Sequence, residues 1–152
     1  MFETASLENS LKLLQHLEAS TTPKWGSMSA QGMVEHITDT LIMAKGEVPT
    51  ELLIPEDKIE KMQQFLYSDK EMLRNIEVPF APKNRTLRND DLDDAIDEFT
   101  EAWISFEERF EDNKNLETLH PFYGMLNFEK WLLLHKKHIT HHFKQFSLIA
   151  EK

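Results

Sequence analysis

Between Leu92 and Phe110 the bulky apolar residues fall at Leu92, Ile96, Phe99, Trp103, Phe106 and Phe110, spaced by four, three, four, three and four. An α-helix turns once in about 3.6 residues, so this spacing lays all six side chains along one stripe. A strand would scatter them over both faces. Asp97, Glu98, Glu101, Glu107 and Glu108 read as the solvated opposite face. Asp90-Asp91-Leu92-Asp93-Asp94 is a strong helix start, because acids cap the orphan N–H groups and complement the helix dipole. A helix with so heavy an apolar stripe must bury it against other elements.

The partners are legible by the same rule. Leu7, Leu11, Leu14 and Leu17 predict a helix over 7–17 capped by Ser6, and Ser20-Thr21-Thr22-Pro23 stops it. Ser27 or Ser29 can cap a second helix over Ala30 to Ala44, with Met33, His36, Ile37, Thr40 and Leu41 inward. Residues 46–55 read as a loop, and Pro55-Glu56-Asp57 opens a short helix to about Leu66. Periodicity fades from Tyr67 to Asn89, where Pro79-Phe80-Ala81-Pro82 marks an irregular segment. Glu111 to Pro121 reads as a polar connector, and Asn127 caps a last helix from Phe128 to about Ile149. With only four glycines and six prolines, long helices are favoured over short strands. The prediction is an all-α four-helix bundle in a single domain over 1–152, with one short extra helix and long connections near residues 45–90.

Composition narrows the function. The net charge is −10, and Lys and Arg are scattered rather than striped, which argues against nucleic acid as a partner. The absence of cysteine excludes disulfides, cysteine-based zinc sites and cysteine nucleophiles in this chain, and suits the cytoplasm. The first residues lack the pattern of a signal peptide, and no apolar run approaches the roughly 18 residues of a membrane span.

Four of the seven histidines, His135, His138, His141 and His142, lie within eight residues of the last predicted helix. His138 and His142 are one turn apart, separated by a rise of about 6 Å, so both rings can reach one point beside the helix. His36, in the apolar stripe of the second helix, can supply a third imidazole. Three imidazoles with an open position can hold catalytic zinc, and imidazole also suits nickel, iron and copper. The plainer reading is that each histidine is a hydrogen-bonded structural residue. Placing two polar rings on one inward face is costly unless both are satisfied, and a metal satisfies both at once. His135 and His141 lie about 60° to either side of His138, as groups supporting the site or as surface histidines, with the surface favoured for His141. Asp39 could orient an imidazole, although an exposed carboxylate is the simpler role. Arg85 and Arg88, with Lys83, either offset the acids that follow or guide an anionic substrate. Rival sites fit poorly. There is no His-Glu-x-x-His and no Gly-x-Ser-x-Gly, and Glu-x-x-His occurs once, at Glu117 to His120.

The series Pro23-Lys-Trp-Gly-Ser-Met-Ser-Ala-Gln, Glu35-His36, His120-Pro-Phe-Tyr-Gly, Phe128-Glu-Lys-Trp131 and His138-Ile-Thr-His-His142-Phe-Lys-Gln145 resembles the DinB/YfiT-like metalloenzyme superfamily. Within it, the chain is similar to a subgroup of short, uncharacterised bacterial proteins. The resemblance spans residues from about 20 to 149. It implies a four-helix bundle holding a divalent metal, often nickel or zinc, through His36, His138 and His142. Gln145 matches a glutamine that commonly follows the last ligand. Many relatives place a small residue and a glycine before that glutamine, where this chain has Phe143-Lys144, so the pocket at the helix end is expected to differ.

Some members of that superfamily imply a thiol-dependent S-transferase or isomerase, with a metal lowering the pKa of a low-molecular-weight thiol. The lack of cysteine fits, because the thiol would arrive with the substrate. Hydrolysis by metal-activated water is a variant within the enzyme class. The alternative from another class is a non-catalytic bundle with a structural metal or none. Homodimerisation is common among such relatives and compatible with the aromatic content, although the residues themselves do not show it.

Overall fold

Four helices begin at a side-chain oxygen that accepts one of the N–H groups left unpaired by the first turn. In the computed structural model, which describes residues 6–74 and 85–150, Ser6 accepts from Asn9 to open α1 (Leu7–Leu14). Ser29 accepts from Gly32 to open α2 (Ala30–Ala44). Asp91 accepts from Asp94 to open α4 (Leu92–Asp112), and Asn127 accepts from Lys130 to open α5 (Phe128–Gln145). The short α3 (Ile59–Tyr67) has no such cap; Pro55 and a 3-10 turn at Glu56–Lys58 lead into it. Pro79-Phe80-Ala81-Pro82 and Lys83 lie outside the described residues.

The described chain is mostly helical. α2 packs against α4 and α5, α1 against α4, and α3 against α5. Met33, Ile37, Leu41 and Ala44 of α2 meet a core that includes Phe99, Trp103, Phe106 and Phe110 of α4, all buried. The buried face of α4 is rotated slightly from the predicted stripe, since Ala95 and Ala102 are buried while Ile96 is only partly so. On α2, Thr38 is buried and bonds back to the Val34 carbonyl at 2.9 Å, whereas the expected Thr40 is partly exposed.

Three predictions need correction. The first helix ends at Leu14, not Leu17, with Gln15 closing it. The connector before α5 contains a small antiparallel hairpin, β1 (Thr118–His120) and β2 (Gly124–Leu126), pairing Thr118 with Leu126 and His120 with Gly124. Three-residue strands are too short to show an alternating pattern. The last helix ends at Gln145, not Ile149, because Ser147 turns left-handed at φ 65. Leu148 N then donates to the Phe143 carbonyl at 2.7 Å and Ser147 N to that of Lys144 at 3.1 Å, a Schellman closure built on serine instead of the usual glycine.

Thr118 ties the hairpin to two helices. Its hydroxyl donates to the Ala44 carbonyl at the end of α2 and accepts from Trp131 Nε1 of α5, both at 2.7 Å. Gly46, at φ +73, lets the chain leave α2 against this threonine; an added Cβ would lie 2.4 Å from Thr118 Cγ2. Thr118→Val keeps the shape but strands a buried donor and a buried acceptor. We expect it to lower unfolding stability in urea by about 2 kcal/mol or more. A loss under about 0.5 kcal/mol would show that the hydroxyl is not a structural tie.

Candidate metal centre

His36 sits on α2, and His138 and His142 lie one turn apart on α5, so the packing of these two helices brings all three rings together. Their centroids form a near-equilateral triangle with sides of 4.8, 4.8 and 4.7 Å. His138 Nε2 lies 2.9 Å from His36 Nε2 and 3.1 Å from His142 Nε2. The potential ligand atoms of the three residues all fall within 4.8 Å of one another. His142 is buried, and His36 and His138 are partly so.

Gln145 decides the protonation of the site. Its amide Nε2 donates to the Trp25 carbonyl at 2.9 Å, which fixes which end of the amide is oxygen. That oxygen lies 2.7 Å from His142 Nδ1. An amide oxygen only accepts, so Nδ1 carries the proton and His142 Nε2 presents a lone pair. A neutral His138 could share one Nε2 proton with both neighbours; otherwise three lone pairs converge where a cation would sit. An extra proton is disfavoured. Burial pushes His36 down to about 4, with Asp39 opposing the shift and Arg85 reinforcing it. Burial, followed by the neighbouring histidines, holds His138 and His142 well below the usual range.

The other candidate residues take separate places. His135 is 1% exposed and faces an aromatic cage, 4.8 Å from Phe106, 5.7 Å from Trp131 and 6.0 Å from Trp103, with its Nε2 lacking a hydrogen-bond partner. It does not join the triad. His141, expected on the surface, is instead partly covered, its ring edge-on to Trp25 at 5.4 Å. Asp39 makes ion pairs with Arg85 Nη2 at 3.0 Å and Arg88 Nη1 at 2.8 Å. Arg88 also places its Nε against both oxygens of Glu98 at 2.9 and 2.8 Å, so Glu98 is not merely part of the solvated face of α4.

Glu35 is the residue that sequence reasoning underrated. It is fully buried beside His36 and accepts from the backbone N–H of Arg88 at 2.9 Å, from that of Asn89 at 3.1 Å and from the Asn89 side chain at 3.2 Å. Gln31 Nε2 donates to it at 3.1 Å and to the Asn89 carbonyl at 2.7 Å. Burial alone would raise the carboxyl, but the hydrogen bonds from Arg88, Gln31 and Asn89 outweigh it and hold the pKa down. Glu35 thereby fastens residues 88 and 89 to the helix that carries His36. Gln31, one turn before it, is a weak local clue; the other partners, Arg88 and Asn89, lie more than fifty positions away and leave no local pattern.

His120 and His135, outside the triad, generate a pH prediction. Burial pushes His120 down to about 4 and His135 down to about 3. Unfolded histidine takes its proton near pH 6.5, so below that value the unfolded chain binds more protons than the folded one. The stability is present above about 6.5 and is lost as pH falls toward the folded values, at about 1.4 kcal/mol per pH unit for each histidine. Urea denaturation should show a clear loss between about pH 7 and about pH 5. His120→Asn, which keeps an acceptor for the Phe122 N–H that now donates to His120 Nδ1 at 3.0 Å, should shallow that dependence by about one proton. A flat profile in both proteins would contradict the assignment.

Among protein families, the model described as "Protein of unknown function (DUF1569)" matches residues 61–148. The match includes His138, His142 and Gln145 and stops short of His36. No curated protein and no solved structure matches the chain.

Proposed function

We propose that this chain, which belongs to the DUF1569 family, is a divalent-metal enzyme of the DinB/YfiT type, acting as a thiol-dependent S-transferase or isomerase. The helices would form the four-helix bundle of that superfamily, with His36, His138 and His142 holding nickel or zinc. The observation that carries this reading is the tautomer of His142. Gln145, itself fixed by the Trp25 carbonyl, leaves Nε2 as a lone pair aimed at the other two imidazoles. A second polar group that orients a ligating imidazole through its distal nitrogen is what metal sites require. The donor set also fits the ion: three neutral imidazoles, kept neutral by burial, suit zinc and nickel.

When bound there, a divalent ion would supply Lewis acidity that lowers the pKa of a thiol or a water. The chain itself would hold the ion, orient His142 through Gln145 and keep the ring nitrogens deprotonated at neutral pH. The absence of cysteine is compatible with the thiol reading without being evidence for it, since any thiol would arrive with the substrate. A structural metal is the competing role. Structural zinc is normally closed by four protein ligands, whereas the grouping found among the described residues has three, with His135 held in its aromatic cage instead.

The purified chain should retain about one divalent metal ion, measured by elemental analysis at neutral pH; no uptake by the wild type would end the proposal. His142→Ala should weaken metal binding strongly and His141→Ala should not, and equal effects would overturn the assignment. Gln145→Leu removes the acceptor for His142 Nδ1–H without removing a ligand. It should weaken metal affinity by about 10- to 100-fold, read by competition with a chelator. Screening the metal-loaded protein for turnover of small thiols with electrophilic acceptors tests the enzymatic part.

A further inference from the structure

Asp39 stands three residues after His36 on α2, and its carboxylate is gripped by two guanidinium groups. One oxygen lies 3.0 Å from Arg85 Nη2 and the other 2.8 Å from Arg88 Nη1. Two arginines, each holding one oxygen, would grip a free carboxylate in the same way. Here the cations are the fixed part. The Arg85 side chain is 17% exposed, and its stem lies over Gly32, where an added Cβ would sit 3.6 Å from Arg85 Cδ. Arg88, whose side chain is 36% exposed, is held not by burial but by Glu98 through its side chain and by Glu35 through its backbone. The Asp39 side chain, by contrast, is 46% exposed and can turn into solvent without leaving the helix.

Arg85 is also under-used. Its Nε is buried without a hydrogen-bond partner, although Nε and the adjacent Nη form the paired fork that suits a carboxylate. The group carries three carboxylates, Glu35, Asp39 and Glu98, against the two arginines, and a divalent cation on the neighbouring histidines would offset the excess negative charge. Asp39 and Arg85 both act electrostatically on His36, so the clamp and the triad share one electrostatic neighbourhood.

We propose that Arg85 and Arg88 form a carboxylate clamp beside the histidine site, filled by Asp39 in the free protein and by the carboxylate of a small-molecule substrate when one binds. This rests on the metal-site reading above and names the substrate class: an acid whose other end reaches the triad. Asp39 then acts as an internal competitor, holding the two guanidinium groups in place until the substrate replaces it.

The test uses the whole chain, with zinc affinity measured first. Mercaptoacetate and 3-mercaptopropionate are then compared by calorimetry with 2-mercaptoethanol, which has a thiol but no carboxylate. At least one acid should bind the zinc-loaded protein about tenfold or more tighter than the alcohol. Arg85→Gln should abolish that advantage while zinc affinity and binding of the alcohol persist. Asp39→Asn should enlarge it several-fold, and this opposite sign separates the clamp from general damage to the fold. Acids and alcohol binding alike in the wild type, an acid preference that survives in Arg85→Gln, or a preference weakened by Asp39→Asn would each overturn the clamp. Failure of the wild type to take up either zinc or nickel would overturn the metal-site reading and this proposal with it, whereas metal uptake without acid preference overturns the clamp alone.

Discussion

Three converging imidazoles, with His138 Nε2 within hydrogen-bond distance of a nitrogen on each of the other two, are an electrostatic problem that the surrounding structure must answer. Gln145 commits the His142 Nδ1 to its proton, so the Nε2 of that ring can only accept. Burial opposes the obvious remedy of protonating a ring, because a charged imidazolium loses its hydration there. What satisfies all three nitrogens together is a shared proton on His138 or a cation. The local chain geometry serves this arrangement. The left-handed turn at Ser147 ends α5 directly after Gln145, and the connector carrying Trp25 passes close enough to hold the Gln145 amide.

A second polar system flanks the first and keeps segments distant in the chain together. Glu35 is buried with its charge intact because hydrogen bonds from three residues replace the water it lost. A buried carboxylate satisfied in this way is selective about its partners, since removing one leaves a charge with no compensation. It fixes residues 88 and 89 against α2, and with them the arginines that meet Asp39. Lys137 plays a similar part on the far side of α5. It is 2% exposed, bonds the Ser68 carbonyl at 2.7 Å and lies over the Phe65 ring at 4.6 Å, joining α5 to the end of α3.

The core and the polar ties divide the work. Burial of the α2 and α4 stripes supplies non-directional attraction that many relative helix positions would satisfy. Directional bonds select among them: Thr118 between Ala44 and Trp131, and Gln63 Nε2 on the Tyr123 and Met125 carbonyls at 2.9 and 3.0 Å. These contacts place the N-terminal half of α5 relative to the end of α2, and so set how His138 approaches His36.

The amino-acid sequence by itself determined the helices and where four of them begin, whereas α3 starts at Ile59 behind a 3-10 turn instead of at Glu56. Apolar spacing is local, and Ser6, Ser29, Asp91 and Asn127 each cap within three residues. It also singled out His36, His138 and His142, because one-turn spacing places a pair of rings together and an inward histidine on another helix is conspicuous. Four features were decided only by the tertiary structure: the hairpin at 118–126, the enclosure of His135 by Trp103, Phe106 and Trp131, the burial of Glu35, and the meeting of Asp39 with Arg85 and Arg88. Periodicity reports which face of a helix is apolar, not which polar groups from distant segments will meet across it. Those meetings depend on directional bonds between residues 46 to 54 positions apart, and such bonds exist only once the helices have packed.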